Sequence, residues 1–255
     1  MQFGVCGGVE MAARAAEAGF DYFESRVADV LCPQSEDTAF RAALKKAQSA
    51  AIPCKALNCF VPGDLKITGL SADPAALRDY VETTCTRAAG AGVETIVFGS
   101  GGARRIPEGF DRDRAWEQLL DFCGLAADAA HGLGVTIVVE PLSRDDCNVL
   151  TSVAECARLV RAIDRPELRL LVDSYHFMRD DDSLDDLAAA GELLAHVHTA
   201  TVPGRFAPGA EACDLAPFFR TLGDAGYDGR VSIEGRIEDP AAQLPVALKT
   251  LRGLM

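Results

Sequence analysis

The chain has no CxxC pair among its nine cysteines, no apolar stretch near the ~20 residues of a bilayer-spanning helix, and no complete G-x-G-x-x-G in its first strand-to-helix turn, GVCGGVEMA. Each absence removes a class of protein. The opening segment, MQFGVCGGVEMAARAAEAG, lacks a basic start and carries Glu10 and Glu17, so no secretory leader is expected. A soluble, cytoplasmic protein follows as the expectation, its odd number of thiols reduced and mostly serving as small buried hydrophobes. Cys6, Cys59 and Cys147, near expected strand ends, are the only ones singled out. The missing glycine fingerprint leaves a Rossmann-type sheet unsupported. Basic residues are also in deficit, 25 Lys and Arg against 38 Asp and Glu, and a net charge of −13 argues against a surface built for nucleic acid. Phosphate binding is driven largely by Lys and Arg neutralisation.

What is present is an alternation. Short apolar runs at 2–6, 20–24, 54–60, 94–98, 135–140, 168–173, 193–198 and 230–234 read as strands buried on both faces. Ala- and Leu-rich amphipathic segments near 8–18, 36–50, 73–91, 111–132, 151–163, 183–190, 214–225 and 240–252 read as helices. Asp73-Pro74, Thr151-Ser152 with Glu155, and Asp239-Pro240 are helix-entry signals, and Gly19, Gly92, Gly134 and Gly226 suit left-handed helix stops. Eight strands alternating with eight helices predict an α/β fold, a (β/α)8 TIM barrel. With 49% hydrophobic residues and no linker, residues 1–255 are expected to form a single domain. Such barrels build their sites at the carboxyl ends of the strands. Three long segments that follow strands, 59–70, 99–110 and 199–214, are therefore expected to wall the same face.

Four expected strands end in a group able to hold a hard cation: Glu140 in IVVEPL, Asp173 in LRLLVDSYH, His198 in LLAHVHTA and Glu234 in RVSIEG. A charge after an apolar run must be paired or lie at a strand end, and one imidazole with three carboxylates has the composition of a metal site. His196 is the alternative imidazole. Residues two apart share a face of a strand, and His198 is nearer the open end. Oxygen-rich ligation with one imidazole favours Mn²⁺ or Mg²⁺ over a structural zinc.

The stretches NCFVPGDLKITG, VFGSGGARRIPEGF, VVEPLSRDDCNVL, LVDSYHF, HVHTA with VPGR, and SIEG resemble the sugar epimerases and isomerases of the xylose-isomerase-like barrels. That group includes hydroxypyruvate isomerases and ketose 3-epimerases of the tagatose and psicose type. The resemblance samples residues 58–235 in the family's order. It implies one divalent ion on Glu140, Asp173, His198 and Glu234, with Glu140 and Glu234 as the acid/base pair. It implies substrate contacts at Asp146, His176 and Arg205, with Asn58, Arg104 and Arg105 as further contacts to a sugar hydroxyl or phosphate. The implied reaction is proton transfer through an enediolate on a small sugar, sugar phosphate or sugar acid, in a homo-oligomer, dimer or tetramer.

Three rival readings share these features. A lyase or dehydratase acting on a keto-cyclitol would use the same ion and expel a leaving group. A nuclease of the same superfamily would need several more histidines than His131, His176, His196 and His198. A non-catalytic carbohydrate-binding protein would bind sugar without metal.

Overall fold

A strand buried on both faces needs helices outside and a filled interior inside, and a closed parallel barrel satisfies both demands. The computed structural model describes residues 1–255 and shows this arrangement. Its strands are β1 (Gln2–Cys6), β2 (Tyr22–Arg26), β3 (Cys54–Asn58), β4 (Thr95–Phe98), β5 (Thr136–Val139), β6 (Leu168–Asp173), β7 (Leu194–Thr199) and β8 (Arg230–Ile233). They pair parallel in chain order, and β8 closes onto β1 through Gln2 to Val5 against Arg230 to Ile233. The fold is the expected (β/α)8 barrel.

The eight expected helices are present, and their entry signals act as read. Asp73 caps Pro74–Ala91 by accepting from the N–H groups of Ala75 and Ala76, and Asp239 does the same for Ala241 and Ala242. Ser152 accepts from the Glu155 N–H, while the Glu155 carboxylate reaches back to the Thr151 N–H. Gly92 stops its helix at φ 73°, where a side chain would be strained.

Two features depart from the expectation. β2 lies two residues later than the 20–24 segment, because Phe20 closes the preceding helix and Asp21 accepts from the Phe3 N–H. Three short helices, Val27–Val30, Gly101–Arg104 and Ser174–Arg179, begin within three residues of the ends of β2, β4 and β6. Four to six residues are too few to display a helical period in sequence.

The main apolar core lies between strands and helices, and a second small cluster, Val97, Val138 and Leu171, fills part of the barrel interior. The rest of that interior is polar: Tyr22, Glu24, His196, His198 and Ser232 are all buried there and bonded to one another. Gly4 on β1 makes room for the Tyr22 ring, since a Cβ at Gly4 would lie 2.3 Å from it.

Arg104 corrects the expectation of a substrate contact. Its side chain is fully buried and donates to the carbonyls of Phe98 (2.9 Å), Glu140 (2.7 Å) and Leu150 (3.1 Å), with the guanidinium 5.4 Å from the Phe98 ring centroid. It therefore fastens the segments after β4 and β5 together, using the planar fork that lysine lacks. Arg104→Met is expected to lower the unfolding free energy by on the order of 3 kcal/mol in chemical denaturation, and Arg104→Lys to recover less than half of that loss.

Candidate metal centre and substrate cleft

The side chains at the ends of β5, β6, β7 and β8 converge. Glu140, Asp173, His198 and Glu234 each bring one ligand atom to within 4.8 Å of the others. His198 Nδ1 lies 3.3 Å from Glu140 Oε1 and 3.6 Å from Glu234 Oε2. Glu140, Asp173 and His198 are buried, while Glu234 is half-buried on the open side. β5 and β8 are three strands apart around the barrel, so their two glutamates reach the centre from different directions.

Three buried atoms in this cluster, Glu140 Oε1, Asp173 Oδ2 and His198 Nδ1, have no hydrogen-bond partner. The other oxygen of Asp173 accepts from the Tyr175 N–H at 3.0 Å and so caps the Ser174–Arg179 helix. Buried polar atoms are normally satisfied, and unpaired carboxylates are costly. Lone pairs gathered around one point are what a hard divalent cation requires, so the donor set fits such an ion.

The electrostatics of the metal-free chain agree. Burial pushes the Asp173 carboxyl up to about 6, with His176 pulling it down and Glu234 and Glu140 adding to the rise. Burial also acts upward on Glu234, but His198 and Arg205 outweigh it and hold that carboxyl below its usual range. His198 goes the other way: burial disfavours its charge, yet Glu24 and Glu234 raise its pKa well above the ordinary imidazole value. The acids therefore compete for positive charge at the position where a cation would supply it.

Glu24, which sequence reasoning did not single out, lies beneath this cluster. Its carboxylate is fully buried, with Oε1 2.8 Å from His198 Nε2 and Oε2 2.9 Å from His196 Nε2. His196 is thus outside the ligand cluster, and burial lowers its pKa. The available signal was an acid inside the apolar segment FDYFES, where a charge needs a partner.

A cleft of about 550 Å³ opens above the cluster. Asn58, Glu140, Asp146, His176, Arg205 and Glu234 line it, together with Cys59 to Gly63 in part and Gly99 to Gly102. The three long segments therefore do meet at this face. His176 Nδ1 accepts from the Ser143 N–H at 3.1 Å, so a neutral His176 carries its proton on Nε2, 3.7 Å from Asp173 Oδ2. Asp146 is half exposed, and its Oδ2 accepts from Ser143 Oγ at 2.7 Å and lies 3.6 Å from His176 Nδ1. Arg205 donates to Glu234 Oε2 at 2.5 Å and stacks over Tyr175 with its guanidinium 4.6 Å from the ring centroid. Asn58 is buried at the cleft wall with its Oδ1 unpartnered. Arg105 is exposed and donates to the Asp146 carbonyl. His131 is exposed and pairs with Glu167, far from these groups in the fold.

The chain is similar to known proteins to different extents. The chain is 31% identical over 149 residues to the 3-dehydro-D-guloside 4-epimerase of Escherichia coli K12, a match covering 57% of this chain and 56% of that enzyme. It is 27% identical over 263 residues to a putative hydroxypyruvate isomerase of Streptomyces coelicolor, covering 96% of this chain and 92% of the relative. The chain thus spans little more than half of the first relative's length and nearly all of the second's. Among solved structures, the apo form of the Escherichia coli 3-keto-D-glucoside 4-epimerase superposes with a TM-score of 0.81 over 99% of both chains at 23% identity, a likeness of fold. The family described as the xylose isomerase-like TIM barrel matches residues 12–254. With its closed eight-stranded barrel and nearly full-length match, this chain belongs to that family.

Proposed function

We propose that this chain is a divalent-cation-dependent epimerase or isomerase of an unphosphorylated keto sugar, moving a proton at the carbon beside the carbonyl. The observation that carries this reading is the pair of carboxylates, Glu140 and Glu234, entering one small polar centre from strands three apart. Removing a proton on one face of a carbon and returning it on the other uses two such groups, whereas moving it to the neighbouring carbon on one face can be done by one. The relatives' names, a 4-epimerase and an isomerase, belong to that reaction class.

Glu140, Asp173, His198 and Glu234 would hold the ion, Mn²⁺ or Mg²⁺ by the preference of oxygen-rich ligands. When bound, such an ion supplies Lewis acidity that offsets the negative charge developing on the substrate's oxygens. The remaining work falls to side chains of the cleft. Glu140 and Glu234 each present one oxygen to the cluster and keep a second for the proton of the substrate carbon. His176, oriented by the Ser143 N–H, donates from Nε2 to a substrate oxygen. Asp146 accepts from a substrate hydroxyl, and Arg205, steadied by Glu234 and Tyr175, donates to another.

The cations around the cleft favour a substrate without phosphate. Arg26 is paired with Asp29, Lys66 donates to the Gly102 carbonyl, Arg105 to the Asp146 carbonyl and Arg205 to Glu234. A phosphate group binds best to uncommitted guanidinium or ammonium groups, and here it would face Asp146 and Glu234 instead.

Four outcomes test this reading. With the Mn²⁺-loaded enzyme and a panel of ketoses in D₂O, deuterium is expected at the carbon beside the carbonyl with no loss of water from the product. Glu140→Gln and Glu234→Gln should each reduce that exchange by about 10²-fold or more. Full exchange in either variant, or full activity after chelation, contradicts the assignment. Phosphorylated ketoses should turn over with lower kcat/KM than their free counterparts, and the reverse preference counts against the substrate class. Finally, a Cβ at Gly99 would lie 2.2 Å from Glu140 Oε2, the end of a side chain able to move. Gly99→Ala is therefore expected to leave the melting temperature nearly unchanged while weakening divalent-cation binding by about tenfold or more in calorimetric titration.

A further inference from the structure

The polar half of the barrel interior is organised around one carboxylate. Glu24, on β2, reaches through the interior to β7 and β8 and accepts from three donors: His198 Nε2 at 2.8 Å, His196 Nε2 at 2.9 Å and Ser232 Oγ at 2.7 Å. Ser232 lies beside His198 in the register of β7 and β8, and its hydroxyl also meets the Tyr22 hydroxyl at 2.8 Å. All five side chains are buried. Burying a carboxylate this deeply costs free energy unless it is well hydrogen-bonded, and here its two oxygens take three donors.

An ionised carboxylate only accepts hydrogen bonds, so the His198 nitrogen facing Glu24 must carry a proton. A neutral imidazole has one N–H, and its lone pair then lies on the other nitrogen. That nitrogen is Nδ1, the atom that has no hydrogen-bond partner and sits among Glu140 and Glu234. We propose that Glu24 is a positioning residue: by holding the Nε2 proton of His198 it fixes the tautomer and ring orientation in which Nδ1 is the cation ligand. The inference rests on the reading of Glu140, Asp173, His198 and Glu234 as a cation site. His196 and Ser232 share Glu24's second oxygen and keep the carboxylate from turning away from His198. A carboxylate behind a ligating histidine also raises the basicity of the imidazole, strengthening its hold on a cation.

The wild-type protein labelled with ¹⁵N-histidine and loaded with diamagnetic Mg²⁺ or Zn²⁺ gives the direct test. Long-range ¹H–¹⁵N correlation should show His198 protonated at Nε2, with the shift of a ligating nitrogen at Nδ1. Protonation at Nδ1 with ligation through Nε2 overturns the proposal, and this measurement requires no variant to fold. Glu24→Gln should weaken Mg²⁺ affinity by about 10- to 100-fold and mix the His198 tautomers, because the amide can donate as well as accept. Exchange activity should return toward the wild-type level as Mg²⁺ is raised to saturation. A Glu24→Gln protein that binds Mg²⁺ within twofold of wild type, with an unchanged His198 spectrum, removes the role of Glu24 alone. A wild-type protein that binds neither ion removes the cation site and the proposal with it.

Discussion

The organising constraint of this molecule is like-charge crowding at the largely buried floor of a cleft. Glu24, Glu140, Asp173 and Glu234 all approach His198, and of these only Glu234 retains appreciable exposure. In water such charges would be screened and separate freely. Here the barrel fixes their strands in register, so they stay together and must be compensated where they are. His198 and Arg205 supply part of the compensation, and three atoms remain without a hydrogen-bond partner. The fold thus holds an electrostatic demand that a divalent ion of the right size would meet.

Keeping those groups in place falls to residues that do not touch the cleft. The buried Arg104 joins the end of β4 to the segments after β5, and one of its acceptors is the backbone carbonyl of Glu140 itself. The aromatic packing of Phe60, Phe98 and Phe122 lies against the same region and gives it little room to shift. Such a supporting layer suits a site whose members must remain within a few tenths of an ångström of their working geometry.

Much of this was legible in the chain itself. Fully buried parallel strands write themselves as continuous apolar runs, and an acid or imidazole at the end of such a run is conspicuous, which is why Glu140, Asp173, His198 and Glu234 stood out. Glu24 did not stand out, although it obeys the same rule. FDYFES mixes aromatic and polar residues because half of the barrel interior is polar, so the segment lacks the clean apolar signature and its strand starts two residues late. Arg104 was misleading for a related reason. Adjacent arginines in a glycine-rich loop after a strand look available to a substrate, and the carbonyls that bury the first of them come from segments 6, 36 and 46 residues away in sequence. Local patterns report a residue's own strand or helix, whereas interior polar networks are decided by which strands face each other across the barrel.

Asp173 has two attachments: one oxygen caps the helix that carries His176, and the other points into the cluster. The first turn of that helix and the acidic corner are therefore fastened through one side chain. On the proposed reading, a molecule pressing on His176 from the cleft would push, through that single carboxylate, on the atoms that hold the cation.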